Sequence, residues 1–292
     1  MTLTGLFVPL VTPFTADGAL ATDALVELAE SSLDGGATGL VALGTTAEAA
    51  TLTAAERAQV VEICAQVCAE RNAALIVGAG TNSTAASLDA VAALGPQVTA
   101  ALTVVPYYTR PSEAGVLAHF RSLAATSPVP LVIYNIPYRT GRTLSADTLR
   151  QLADEPNIIG VKHAVGSIDD TTIELMRTCP PDFAVLAGDD IYIAPLLALG
   201  AAGGILASAN VAAAPFSALV TAWRDGKLDE ARDLGHRLAG LSSALFAEPN
   251  PTVIKAVLAA QGRIPSPAVR LPLLPATDAA TASALAAFAC FP

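Results

Sequence analysis

Short apolar runs recur along the chain at near-regular intervals, at 6–11, 39–43, 74–77, 101–105, 131–136, 158–161, 184–187 and 204–207. They are apolar throughout instead of alternating, which predicts strands buried on both faces, as in a parallel sheet. Between them lie helix-period segments with their own start and stop signals. Thr53-x-x-Glu56 forms a capping box, Asp34-Gly35-Gly36 closes the first helix, Gly95-Pro96 closes the third, and Ser112 and Ser145 are N-caps for the fourth and fifth. Eight strand–helix alternations predict a closed (β/α)₈ TIM barrel, of class α/β. An open doubly wound sheet is the alternative, weakened because no Gly-x-Gly-x-x-Gly follows the first strand. Further helical patterns at 228–246, 251–261 and 278–289 exceed what closure needs. They predict a barrel over 1–225 and a C-terminal helical extension over 226–292, with Pro-rich connections near 265–275.

Composition narrows the setting. With 292 residues, 53% hydrophobic and 14% charged, the chain has ample material for a core, and its formal charge of −10 argues against nucleic acid or an anionic membrane as partner. No charged residue occurs between Ile191 and Trp223, but Gly200, Gly203, Gly204, Asn210 and Pro215 break that run into short elements, against a membrane span. Cys64, Cys68, Cys179 and Cys290 show no metal spacing and read as buried free thiols, which suits a reducing cytoplasm. The opening MTLTGLFVPLVTPF has no basic segment before its apolar run and meets Pro13, so a signal peptide is not expected and the protein is expected to be cytoplasmic.

The sharpest chemical signal is Lys162, which closes the run IIGV. Desolvation there lowers the amine's pKa and frees its neutral form, a nucleophile toward carbonyls. The bland alternative is a lysine snorkelling from a strand end. The other two lysines sit elsewhere, Lys227 in the charged turn RDGKLDEAR and Lys255 in the helical pattern PTVIKAVLAA.

In a barrel the active site lies at the carboxyl ends of the strands, so the residues after each run form one set. They are Thr12, Gly44-Thr45-Thr46-Ala47-Glu48, Tyr107-Tyr108, Tyr134, Arg139, Lys162, Gly188-Asp189-Asp190 and Ser208. One amine, several hydroxyls and a guanidinium, with His119, His163 and His236 scattered, suit amine catalysis without a metal or other cofactor. Gly44-Thr45-Thr46 can meet a small carboxylate, or be an ordinary capped turn. Tyr134 can shuttle protons to Lys162, or be a core tyrosine with its hydroxyl satisfied. Arg139 can fork onto a carboxylate, or be a surface arginine.

The segments GTTAEAATL, VVPYYTRPSEAG, YNIPYRTG, GVKHA, LAGDD, GILASANV, EPNPTVIK and RLPLLP resemble, in order and spacing, the dihydrodipicolinate synthase and N-acetylneuraminate lyase family. The resemblance spans essentially the whole chain and is strongest to the synthase branch. It implies a barrel with C-terminal helices, a homotetramer or homodimer, and a lysine that condenses with pyruvate. On the matching positions, Lys162 would be that lysine, with Tyr134, Thr45 and Tyr108 as proton relay and Tyr108 entering from a neighbouring subunit. Thr46 would hold the pyruvate carboxylate and Arg139 that of an acidic aldehyde, aspartate semialdehyde, while Gly188 and Ile205 would complete the substrate-binding set.

Three departures bear on this. Ala47 stands where the family loop has a second glycine, so either its φ stays negative or the loop has moved. His163 follows Lys162 where an acid is usual, and is expected to face away from the site. Tyr138 replaces a small residue before Arg139, and alternation in an extended turn predicts that it points outward. The competing readings are a pyruvate-dependent aldolase or dehydratase acting on another aldehyde, a non-catalytic keto-acid-binding paralogue, and a phosphate- or flavin-binding barrel. The last has only Gly203-Gly204 to recommend it.

Overall fold

The computed structural model describes residues 3–291. The chain runs β1 (Gly5–Pro9), α1 (Thr22–Asp34), β2 (Gly39–Ala42), α2 (Ala54–Glu70), β3 (Ala74–Gly78), α3 (Thr84–Ala92), β4 (Ala100–Val104) and α4 (Glu113–Thr126). It continues β5 (Leu131–Asn135), α5 (Pro137–Thr140), α6 (Ala146–Ala153), β6 (Ile158–His163), α7 (Asp170–Thr178), β7 (Ala184–Ala187), α8 (Ile193–Ala198) and β8 (Gly203–Ile205). Four helices follow: α9 (Ala209–Arg224), α10 (Leu228–Leu245), α11 (Thr252–Ala260) and α12 (Asp278–Phe288). The strands are hydrogen-bonded in sequence order and close on themselves, so the expected (β/α)₈ barrel is the observed fold. The pairs β1–β2, β3–β4, β4–β5, β5–β6, β6–β7 and β7–β8 are parallel.

Boundaries shift where a partner outside the ladder intervenes. β1 ends at Pro9, two residues early, because the Val11 amide donates to the Asn210 side chain (3.1 Å). β6 runs on to His163, so Lys162 lies inside the strand instead of just beyond it.

By internal packing the chain divides into two compact units, one built on Ile76–Ile205 and one on Gly5–Leu75 with the chain from Leu206 onward. In the first, Ser112 and Ser145 cap α4 and α6 as expected, and the Glu113 carboxylate accepts from the amide (3.2 Å) and hydroxyl (2.6 Å) of Ser145. Asn157 takes a left-handed backbone (φ 69°) and offers its side-chain amide to the carbonyls of Ala124, Ser127 and Val129, which sets the entry into β6.

In the second unit the Thr53–Glu56 capping box opens α2. The charge-free stretch resolves into α8 and β8, which belong to the first unit, and α9 of the second, which is broken at Ala212 (φ −134°) ahead of Pro215. Among the described residues no helix is long and apolar enough to cross a membrane. Cys64 and Cys68 are buried in α2, where burial pushes their thiols up to about 12 and about 11. The expectation of buried thiols fails for Cys290, which lies exposed beyond α12, and Cys179 is only half-buried.

Candidate active site

The site is centred on one register pair in the first unit. Tyr134 of β5 lies opposite Lys162 of β6, and Asn135 lies opposite His163. His163 points at α7, its Nε2 3.0 Å from the Thr172 hydroxyl, so Lys162, its neighbour in the strand, points to the opposite face. The expectation that His163 faces away is met. Burial holds its imidazole down to about 4, so it stays neutral.

Lys162 is 6% exposed, and its Nζ lies 4.4 Å from the centroid of the Tyr134 ring. Burial draws its pKa from 10.5 down to about 8 against the pull of Asp190 and Asp189. At pH 7 an amine of pKa about 8 is neutral roughly one time in ten, against roughly one in three thousand for an ordinary lysine. The apolar strand therefore supplies a nucleophile that water would not.

Gly188, just after β7, is explained by the same lysine. A Cβ there would sit 2.8 Å from Lys162 Cγ and 2.8 Å from Ala164 Cβ. Only a glycine lets the lysine stem pass. Gly188→Ala is therefore expected to lower kcat about a hundredfold by displacing the amine by about 1 Å, and to lower the melting temperature as well, because the buried Ala164 Cβ cannot swing aside. The rate of borohydride-trapped adduct formation measures this directly. Asp189 and Asp190 follow, and burial raises the Asp189 carboxyl above its usual range even though it accepts from the Gly166 amide (2.7 Å).

Arg139 and Tyr138 correct one expectation. The segment is not an extended turn but the helical turn α5, opened by Pro137 and closed by Gly141 at φ 69°. Helical neighbours diverge by about 100° instead of alternating, so the argument for an outward Tyr138 fails. Its hydroxyl donates to Asp189 Oδ1 (3.4 Å), although the ring remains 60% exposed. The Arg139 guanidinium lies 5.7 Å from the centroid of the same ring. Arg139 is itself exposed and so accessible to a ligand. Tyr108 is 87% exposed at φ 70°, beside the half-exposed Tyr107. Ile205, wholly buried, ends β8.

In the second unit, Thr45–Ala47 form one turn of 3₁₀ helix after β2. Ala47 is not among the residues with positive φ; Leu43 (55°) and Glu48 (52°) carry the left-handed backbone instead. The Ala47 carbonyl accepts from the Thr12 hydroxyl (2.7 Å). Thr45 is exposed and Thr46 buried, and Thr46 Oγ1 accepts from Asn250 Nδ2 (2.9 Å). Glu48 does not belong to the reactive set. Its carboxylate is buried, 2.8 Å from Lys255 Nζ and 2.8 Å from the Arg270 amide.

A buried, partly neutral amine against a phenol on the adjacent parallel strand, with a guanidinium in the turn after that strand, is the arrangement of a Schiff-base-forming lyase on a (β/α)₈ barrel. Among the described residues no group of His, Cys, Asp and Glu is placed to hold a metal ion. Residues 2–288 match the Dihydrodipicolinate synthetase family, and the chain belongs to that family. Two relatives named 4-hydroxy-tetrahydrodipicolinate synthase are similar along nearly their whole length. The one from Moorella thermoacetica is 43% identical, over 92% of this chain and 91% of its own. The one from Maridesulfovibrio salexigens is 38% identical, over 97% and 96%. The crystal structure of a dihydrodipicolinate synthase from Thermotoga maritima superposes with a TM-score of 0.95 at 31% identity, over 99% of this chain and 98% of its own.

Proposed function

We propose that the chain catalyses the 4-hydroxy-tetrahydrodipicolinate synthase reaction, condensing pyruvate with aspartate semialdehyde. The observation that carries this is the buried Lys162 amine against the Tyr134 ring. The neutral amine attacks the keto carbon of pyruvate. The carbinolamine then loses water, which needs a proton delivered to the departing hydroxyl. Tyr134, with Thr45 and Tyr108, is the relay for that proton and for the methyl proton whose loss gives the enamine. The enamine carbon attacks the aldehyde, and the amino group of the semialdehyde displaces Lys162 in closing the ring. Thr46 holds the pyruvate carboxylate, Gly188 and Ile205 line the pyruvate, and Arg139 meets the carboxylate of the aldehyde.

Steady-state kinetics with pyruvate and a panel of aldehydes test the acceptor. Arg139→Ala is expected to raise the KM for aspartate semialdehyde roughly ten- to a hundredfold, the worth of a hydrogen bond to a charged group, and to leave the KM for pyruvate within about threefold. An arginine variant that loses nothing with the best aldehyde overturns the assignment. A second reading, an aldolase for a smaller acid such as glyoxylate, is favoured by Tyr138, which leans toward Asp189 beside Arg139. Faster turnover with glyoxylate than with aspartate semialdehyde would select it.

The exposed Tyr107–Tyr108 pair supports assembly into a homodimer or homotetramer in which Tyr108 serves a neighbour's site. Light scattering is expected to find an oligomer. Tyr108→Phe, which removes only the hydroxyl, is expected to lower kcat about a hundredfold without dissociating it.

A further inference from the structure

The reading of Thr46 as the carboxylate-binding hydroxyl leads to a residue outside the strand ends. Thr46 Oγ1 accepts a hydrogen bond from Asn250 Nδ2 at 2.9 Å. A hydroxyl has one hydrogen to give and two lone pairs to receive. With one lone pair taken by the amide N–H, its own hydrogen is free to turn toward a bound anion. The amide thus polarises the hydroxyl as a donor toward the substrate.

The placement of that amide is fixed by a second contact. Asn250 immediately precedes Pro251, the N-cap of α11, and Lys255 lies within α11. Lys255 Nζ is 2.8 Å from Glu48, the residue that ends the Thr45–Ala47 turn. The turn is therefore held to the α11 segment at two points, a neutral bond to Thr46 and an ion pair to Glu48. The pair is sealed, with side chains 0% and 1% exposed, and the Lys255 ammonium lies 4.0 Å from the centroid of the Phe14 ring. The second Glu48 oxygen accepts from the Arg270 amide (2.8 Å). A turn so clamped has little freedom to rotate Thr46 away.

We propose that Asn250 is a positioning residue for the pyruvate carboxylate: by donating to Thr46 it keeps that hydroxyl a donor toward substrate, from the segment just before α11, the helix that the Glu48–Lys255 pair locks to the turn. Asn250 touches no reacting atom. This inference rests on the synthase reading and is tested separately from it.

The test compares Asn250→Ala and Asn250→Asp with the parent by borohydride trapping of Lys162 with pyruvate and with pyruvamide, its neutral amide. Asn250→Ala frees the Thr46 rotor and is expected to raise the half-saturating pyruvate concentration about tenfold. Asn250→Asp offers only acceptors, so it captures the Thr46 hydrogen and repels the carboxylate, with an expected rise of roughly a hundredfold. Trapping at saturating pyruvate, and half-saturation by pyruvamide, are expected to stay within about threefold, which a general loosening of the fold would not produce. Variants that bind pyruvate like the parent, or that lose pyruvate and pyruvamide equally, overturn the inference while leaving the synthase reading intact. A parent not labelled on Lys162 by pyruvate removes both.

Discussion

Pyruvate followed by borohydride is expected to leave a stable adduct on Lys162 alone, and Lys162→Ala is expected to lose activity by roughly a thousandfold or more. Three lysines compete for the label. Lys227 is exposed beside Glu230 at the head of α10, outside the strand ends. Lys255 is the instructive rival, because burial lowers it to about 8 as well. Its amine, however, is hydrogen-bonded to the Glu48 carboxylate and sealed from ligand, so its lone pair has no route to a carbonyl. Geometry separates the two lysines where pKa does not. Because Lys162 reacts as the neutral amine, the trapping rate at fixed pyruvate is expected to rise about tenfold per pH unit below about 8 and to level off above it. Peptide mapping of the reduced adduct across that range reads both outcomes. A label on Lys255, or a rate flat from pH 6 to 9, would remove Lys162 as the nucleophile.

The second large effect is on stability. Lys255→Met leaves the Glu48 carboxylate buried with its cation gone and is expected to cost about 3–5 kcal/mol. For a chain of this size that lowers the melting temperature by roughly 6–20 °C. Adding Glu48→Gln to Lys255→Met removes the stranded charge and keeps an acceptor for the Arg270 amide, so most of the loss should be recovered. Thermal melts of the single and double variants give the comparison. A double variant no better than Lys255→Met alone would show that packing around the lysine stem, not the charge, is what the site supplies.

The eight strands and the helices between them were legible because each strand is dominated by an apolar run and each major helix has its own cap or stop. Lys162 was legible for the same reason: a cation at the end of IIGV has nowhere polar to go. The same logic applied to Lys255 in PTVIKAVLAA would have marked it as buried, since residues on every side of it in the helix are apolar. Its partner Glu48 lies 207 residues away, and no local pattern announces so distant a pair. The alternation argument for Tyr138 failed, though the residue is exposed, because the backbone of a four-residue segment after a strand is decided by Pro137 and Gly141 acting together. The role of Gly188 was invisible for another reason. What excludes a side chain there is the stem of Lys162 on the adjacent strand, a tertiary fact.

The ion pair between Glu48 and Lys255 also carries a consequence for synthesis. A ribosome adds about 5–20 residues per second, so the 207 residues that separate the two take roughly ten to forty seconds to appear. Throughout that interval the nascent N-terminal segment holds an acid whose cation does not yet exist, and the Arg270 amide arrives later still. Until Lys255 and the Arg270 amide exist, Glu48 lacks the partners that balance it in the finished fold, so the Thr45–Ala47 turn is expected to stay open and hydrated until the last residues of the chain are made. Proteolysis of stalled chains should therefore cut at this turn in nascent chains ending before Lys255 and spare it in the finished protein.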